Sequence, residues 1–164
     1  MVNLSVPLID SGKQNLTLIN PILVASGTFS NGLEMSKHKH IDELGGIISK
    51  GTTIKPREGN DTPRLIETPS GLINSIGFQN IGAHKFIKEI VPIWQKWKVA
   101  TIVNIMGYTI QEYGILAELF DEIDSIDALE VNVSCPNVEA GGIEFGQDPQ
   151  LAKEVMQAVR KKTE

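Results

Sequence analysis

Five residues of this chain have types and spacing suited to acting together: Ser26, Lys50, Asn104, Asn132 and Cys135. Cys135 is the sole cysteine and lies three residues past Asn132 in the run N-V-S-C-P-N at 132–137. A thiolate can act as a nucleophile or a base, an ammonium can hold an anion, and a primary amide offers one acceptor and two donors to a flat heterocycle. A lone cysteine is more often a small buried hydrophobe, so its neighbours decide how to read it. Here Asn132 and Asn137 flank it, and Pro136 ends the turn that holds it.

Each of these polar groups sits at or just beyond the end of an apolar run. Ile22 to Ala25 leads into Ser26, Ile47 and Ile48 into Ser49 and Lys50, residues 100–105 contain Asn104, and residues 128–131 precede Asn132. Such short, β-branched runs bounded by turn residues predict four strands. Between them, apolar residues recur at helical spacing. Leu33 to Lys37 and Ile41 to Leu44 read as short helical pieces ended by Gly45-Gly46.

Phe86, Ile87, Ile90, Val91, Trp94 and Trp97 mark a helix that Pro92 should kink or split, with both tryptophans facing the core. Thr109 and Glu112 form a capping box ahead of Ile110, Tyr113, Leu116, Ala117 and Phe120. Asp148 and Pro149 open a last helix with Leu151, Val155 and Val159 inward. Ahead of all this, residues 4–8 and 16–18 around Asp10, Ser11 and Gly12 predict an N-terminal β-hairpin.

Strand and helix therefore alternate four times. That order predicts an α/β fold with a parallel sheet, either doubly wound or part of a (β/α)8 barrel, and both fold types bind ligands at the strand C-termini. Ser26, Lys50, Asn104 and Asn132 are expected at that one rim. No G-x-G-x-x-G follows the first strand, which argues against dinucleotide binding. The segment 55–80, rich in Pro, Gly, Asn and Thr, is too long for a plain connection and is expected to be functional.

Composition narrows the function classes. The 164 residues are 41% hydrophobic and 21% charged, which fits one globular unit. Fifteen basic against 20 acidic residues give a net charge of −5, with no basic stripe for nucleic acid. No membrane-length apolar run and no secretory leader pattern occurs, so a cytoplasmic location is expected. One cysteine excludes an internal disulfide, and three scattered histidines, His38, His40 and His84, give no metal-binding spacing and are expected at the surface.

Taken together, A-S-G-T-F at 25–29, K-G-T-T at 50–53, P-R-E-G-N at 56–60, N-S-I-G-F-Q-N at 74–80 and N-V-S-C-P-N at 132–137 resemble dihydroorotate dehydrogenase. The likeness runs over nearly the whole chain and is strongest to the class 1B catalytic subunit, to which residues 138–149 are also similar. It implies a (β/α)8 TIM barrel holding FMN and oxidising dihydroorotate to orotate in pyrimidine biosynthesis. By motif, Ser26, Lys50, Gly51, Asn104 and Asn132 would contact FMN. Lys50, Asn74, Ser75, Ile76, Gly77, Phe78 and Asn132 would hold the substrate, and Cys135 would be the catalytic base. A thiol of ordinary pKa, about 8.5, is mostly protonated at neutral pH, so activity is expected to rise with pH unless the site stabilises thiolate.

The same resemblance implies NAD as final acceptor, reached through a separate subunit carrying FAD and a 2Fe-2S cluster, and a homodimer within a heterotetramer. One cysteine cannot ligate a cluster in this chain. A (β/α)8 barrel takes about 250 residues, so residues 1–164 are expected to form its first four strand and helix units only. Alone, such a half barrel exposes sheet edges and is expected to bind FMN weakly without turnover. Two other readings remain: a flavin domain like that of dihydropyrimidine dehydrogenase, and a non-catalytic half-barrel interaction module.

Overall fold

The computed structural model describes residues 2–9, 15–37, 40–134 and 144–163. At the N-terminus, β1 (Val6–Ile9) runs antiparallel to β2 (Leu16–Leu18), with Val6 opposite Leu18 and Pro7 opposite Thr17. The expected turn at Asp10, Ser11 and Gly12 lies outside the described residues. Six more strands follow: β3 (Leu23–Val24), β4 (Gly46–Ile48), β5 (Leu65–Thr68), β6 (Gly71–Asn74), β7 (Ala100–Ile105) and β8 (Ala128–Val131). Strands β3, β4, β7 and β8 form one parallel sheet in that order. Leu23 lies opposite Gly46, Gly46 opposite Ala100, and Ile102 opposite Ala128. All four strands therefore end at the same rim.

The helices are α1 (Ala83–Glu89), α2 (Val91–Trp94), α3 (Ile110–Asp121) and α4 (Pro149–Arg160). Pro92 has no N–H to give the Lys88 carbonyl, which is why α1 and α2 are separate helices. Trp94 is nevertheless buried, donating its indole N–H to the Asn31 carbonyl at 3.0 Å and meeting Phe86 edge to face at 5.2 Å. Trp97 is half-buried. In α3, Tyr113, Leu116, Ala117 and Phe120 are buried. The Thr109 side chain caps the Glu112 N–H, while the Glu112 carboxylate reaches back one residue further than in a simple capping box, accepting from the Tyr108 N–H at 2.7 Å. Asp148 caps α4 by accepting from the N–H groups of Gln150 and Leu151.

Alternation along the strands sorts their side chains. Ile47, Val103, Ile105, Leu129 and Val131 pack into the apolar core between sheet and helices. Asn104 and Glu130 have the opposite parity and face away from the helices.

Three expectations change in detail. Strand β3 covers only Leu23–Val24, because Ala25 already belongs to the turn in which its carbonyl accepts from the Thr28 N–H. The pieces expected as helical at 33–37 and 41–44 are single 3-10 turns, Met35–Lys37 and Ile41–Glu43, too short to nucleate an α-helix. Within 55–80, expected as one long connection, Leu65–Thr68 and Gly71–Asn74 pair as the β5–β6 hairpin, with Leu65 opposite Asn74 and Thr68 opposite Gly71.

Candidate active site

The site is built where β4, β7 and β8 end. The Ser49 N–H donates to the Ile102 carbonyl at 2.9 Å, and the Asn104 N–H in turn donates to Ser49 Oγ at 3.0 Å. Pairing then resumes beyond β4: the Thr52 N–H donates to the Asn104 carbonyl and the Met106 N–H to the Thr52 carbonyl. Lys50 and Gly51 are held between these bonds, immediately beside Asn104. The Lys50 N–H also donates to the Ser30 carbonyl at 2.8 Å, which ties the loop after β3 to the same rim. The Lys50 side chain is half-buried and makes no ion pair with a described residue.

Asn104 is 2% exposed. Its amide nitrogen donates to Glu130 Oε1 at 2.5 Å, across the β7–β8 register that sets the two residues opposite each other. Its carbonyl oxygen, Oδ1, is buried and accepts no hydrogen bond among the described residues. Asn132 continues the ladder, its N–H donating to the Ile105 carbonyl at 2.9 Å. Its own carbonyl accepts from the Tyr113 hydroxyl at 2.6 Å, and its side-chain oxygen accepts from the Ser134 N–H and hydroxyl.

The loop after β6 arrives over this rim. Asn60 anchors it: its amide donates to the Ser75 carbonyl and hydroxyl, and its N–H to the Ile76 carbonyl. Gly77 at φ 75° and Phe78 at φ 59° are both left-handed, and a Cβ on Gly77 would stand 2.5 Å from the Asn60 nitrogen. This turn brings the Phe78 ring onto Gly51. A Cβ on Gly51 would lie 2.3 Å from Phe78 Cζ and 2.8 Å from Asn104 Oδ1.

The structure thus gathers Lys50, Gly51, Asn104, Asn132 and Phe78 at one end of the sheet. Ser26 stands at the same rim, two residues past β3, without a hydrogen bond to the others among the described residues. Asn74 and Ser75 are exposed. Cys135 lies outside the described residues, as does His38, while His40 and His84 are exposed. Ser49, Glu130 and Tyr113 were not singled out from sequence. Only Glu130 had a usable signal, since strand alternation puts a carboxylate on the same face as Asn132.

Beside the rim runs a groove of about 820 Å³ lined by apolar Ile54, Pro56, Ile81 and Phe86 together with Lys50, Lys55, Arg57, His84 and Lys85, with Glu58 the acidic group in its wall. The Arg57 guanidinium stacks over the Tyr108 ring, 5.3 Å from its centroid. Such a surface suits an anionic ligand. No cluster of three or more metal-ligating side chains occurs among the described residues, and none of their helices is long and apolar enough to cross a membrane.

The family model described as dihydroorotate dehydrogenase matches residues 9–164. The chain belongs to the dihydroorotate dehydrogenase family. It is 53% identical over 148 residues to the dihydroorotate dehydrogenase B (NAD(+)) catalytic subunit of Desulforamulus reducens, covering 90% of this chain and 49% of that protein. With the proteins of the same description from Geotalea uraniireducens and Trichlorobacter lovleyi it shares 47% identity, covering 90% and 92% of this chain and 48% and 49% of theirs. The chain spans about half the length of the curated relatives it matches.

For a dihydroorotate dehydrogenase the flavin is the group to be accommodated. Two observations fit a planar polar heterocycle at this rim: the buried Asn104 Oδ1, which has no hydrogen-bond partner among the described residues, and the half-buried Lys50 at the end of the adjacent strand.

Proposed function

We propose that residues 1–164 are the first four strand and helix units of a class 1B dihydroorotate dehydrogenase barrel, which oxidises dihydroorotate to orotate in pyrimidine biosynthesis. The observation that carries this reading is the parallel register that ends β3, β4, β7 and β8 at one rim, with the Phe78 loop folded over Gly51. The names of the relatives support the class 1B assignment.

Bound FMN supplies the acceptor for the hydride that leaves C6 of dihydroorotate. Ser26, Lys50, Gly51, Asn104 and Asn132 hold the cofactor. Lys50 and Asn132, with the loop residues Asn74, Ser75, Ile76, Gly77 and Phe78, orient the substrate. The Lys50 ammonium neutralises the substrate carboxylate and stabilises negative charge that develops nearby. Cys135 takes the proton from C5, and a base so placed contributes on the order of 10² to 10⁴ in rate. Tyr113 fixes the backbone of Asn132, and so sets where the cysteine loop begins.

A separate subunit bearing FAD and a 2Fe-2S cluster would link the flavin of this chain to NAD, within a heterotetramer built on a homodimer of the catalytic chain. The phrase "catalytic subunit" in the relatives' names supports such a partner. Purification of the full-length protein tests the reading. Stoichiometric FMN, reduced by dihydroorotate and not by dihydrouracil, is expected; a flavin-free protein refutes it. The isolated 164 residues are expected to bind FMN weakly and not to turn over.

A further inference from the structure

The contact with Glu130 decides which end of the Asn104 amide is turned toward Gly51. An amide can present either its NH2 or its oxygen, and the two ends have nearly the same shape. A carboxylate only accepts, so the short contact to Glu130 Oε1 requires Asn104 Nδ2 on that side. Oδ1 is therefore turned the other way. There it is buried, with no hydrogen-bond partner among the described residues, close to Gly51. The Asn104 N–H is bonded to Ser49 Oγ and its carbonyl to the Thr52 N–H, so the backbone beneath the amide is fixed as well.

An acceptor kept dry and unpaired is costly, and the fold tolerates it where a ligand brings the missing donor. We propose that Glu130 is a positioning residue: it locks the Asn104 amide so that Oδ1 accepts from an N–H of the bound planar heterocycle. The Phe78 ring lies over Gly51 beside the same point. This inference rests on the flavoenzyme reading above, and it concerns recognition at the rim rather than proton or hydride transfer.

The test uses the full-length protein stripped of flavin and titrated with FMN, with the dissociation constant read from flavin fluorescence. Glu130→Met removes the acceptor at similar length and is expected to weaken FMN by about tenfold or more, with a displaced visible flavin band. Glu130→Gln, whose side-chain oxygen still accepts, stays within about threefold of wild type. FMN binding by Glu130→Met equal to wild type overturns the proposal. Should that variant not fold, Asn104→Asp and the double variant Asn104→Asp/Glu130→Gln decide. The single change sets two carboxylates face to face, and the double change restores a donor toward position 104 and an acceptor toward the ligand. Recovered FMN affinity in the double variant supports the proposal; no recovery overturns it. Wild-type protein that binds no FMN ends both this inference and the reading beneath it, whereas wild-type binding with an indifferent Glu130→Met ends this inference alone.

Discussion

The Lys50 N–H donates to the Ser30 carbonyl at 2.8 Å, joining the end of β4 to the loop after β3. This bond belongs to the backbone, so truncating the Lys50 side chain leaves it in place. Lys50 is half-buried and makes no ion pair with a described residue, and the carboxylate of the proposed substrate is the partner we assign to it. Lys50→Ala is therefore expected to change unfolding free energy by less than about 0.5 kcal/mol while weakening orotate by about 1.5–3 kcal/mol, the worth of a charge-assisted hydrogen bond. Urea unfolding and orotate titration of the full-length flavoprotein check the two halves separately.

Gly51 is required by what stands above it. A Cβ at this position would meet Phe78 Cζ at 2.3 Å, so Gly51→Ala must push the ring or the loop aside, at a cost of about 1–3 kcal/mol. Removing the ring should relieve much of that. Gly51→Ala in a Phe78→Ala background is expected to cost at least about 0.5 kcal/mol less than in wild type, and a double-mutant cycle on unfolding free energies measures the coupling.

The Tyr113 hydroxyl gives its hydrogen to the Asn132 carbonyl at 2.6 Å, linking the core helix α3 to the start of the cysteine loop. Tyr113→Phe keeps the ring that meets Phe145 edge to face and removes the hydroxyl that makes this bond. A loss of about 0.5–1.5 kcal/mol in stability is expected, together with a lower rate of flavin reduction at saturating dihydroorotate. An unchanged rate would show that the loop does not depend on this anchor.

Asp148→Ala provides the contrasting case. Its carboxylate caps α4 on the Gln150 and Leu151 N–H groups, and Asp148 lies outside the residues assigned to the rim. About 1 kcal/mol of stability should be lost with FMN affinity unchanged. Thermal melts and FMN titration read the two quantities.

The local physics of this chain is legible in its residues because it is short-range. Thr109, Asp148 and Pro149 announce helix starts through caps that act within one turn, and Pro92 announces a break for the same reason. The branched run 100–105 is β7 from end to end. What the residues do not disclose depends on contacts between distant strands. Ser49 looks like a strand-end serine until β7 is laid beside it and Asn104, 55 residues away, donates to its hydroxyl. Glu130 acquires its meaning only from the β7–β8 register that sets it opposite Asn104. The β5–β6 hairpin escapes for a different reason. Leu65, Ile66, Leu72 and Ile73 are all more than half exposed, so no one-sided burial imprints an apolar-polar alternation on the sequence.

The proposed oxidation of dihydroorotate through a flavin at this rim, with Cys135 as the base, has a direct kinetic signature. Anaerobic mixing of the full-length flavoprotein with dihydroorotate, followed at the flavin absorption band, tests it most directly. Rapid bleaching by dihydroorotate, absent with dihydrouracil and slowed by about 10² to 10⁴ in Cys135→Ser at neutral pH with FMN still bound, is the result predicted. A flavin band that dihydroorotate leaves untouched, or one that bleaches equally fast in Cys135→Ser, would contradict it.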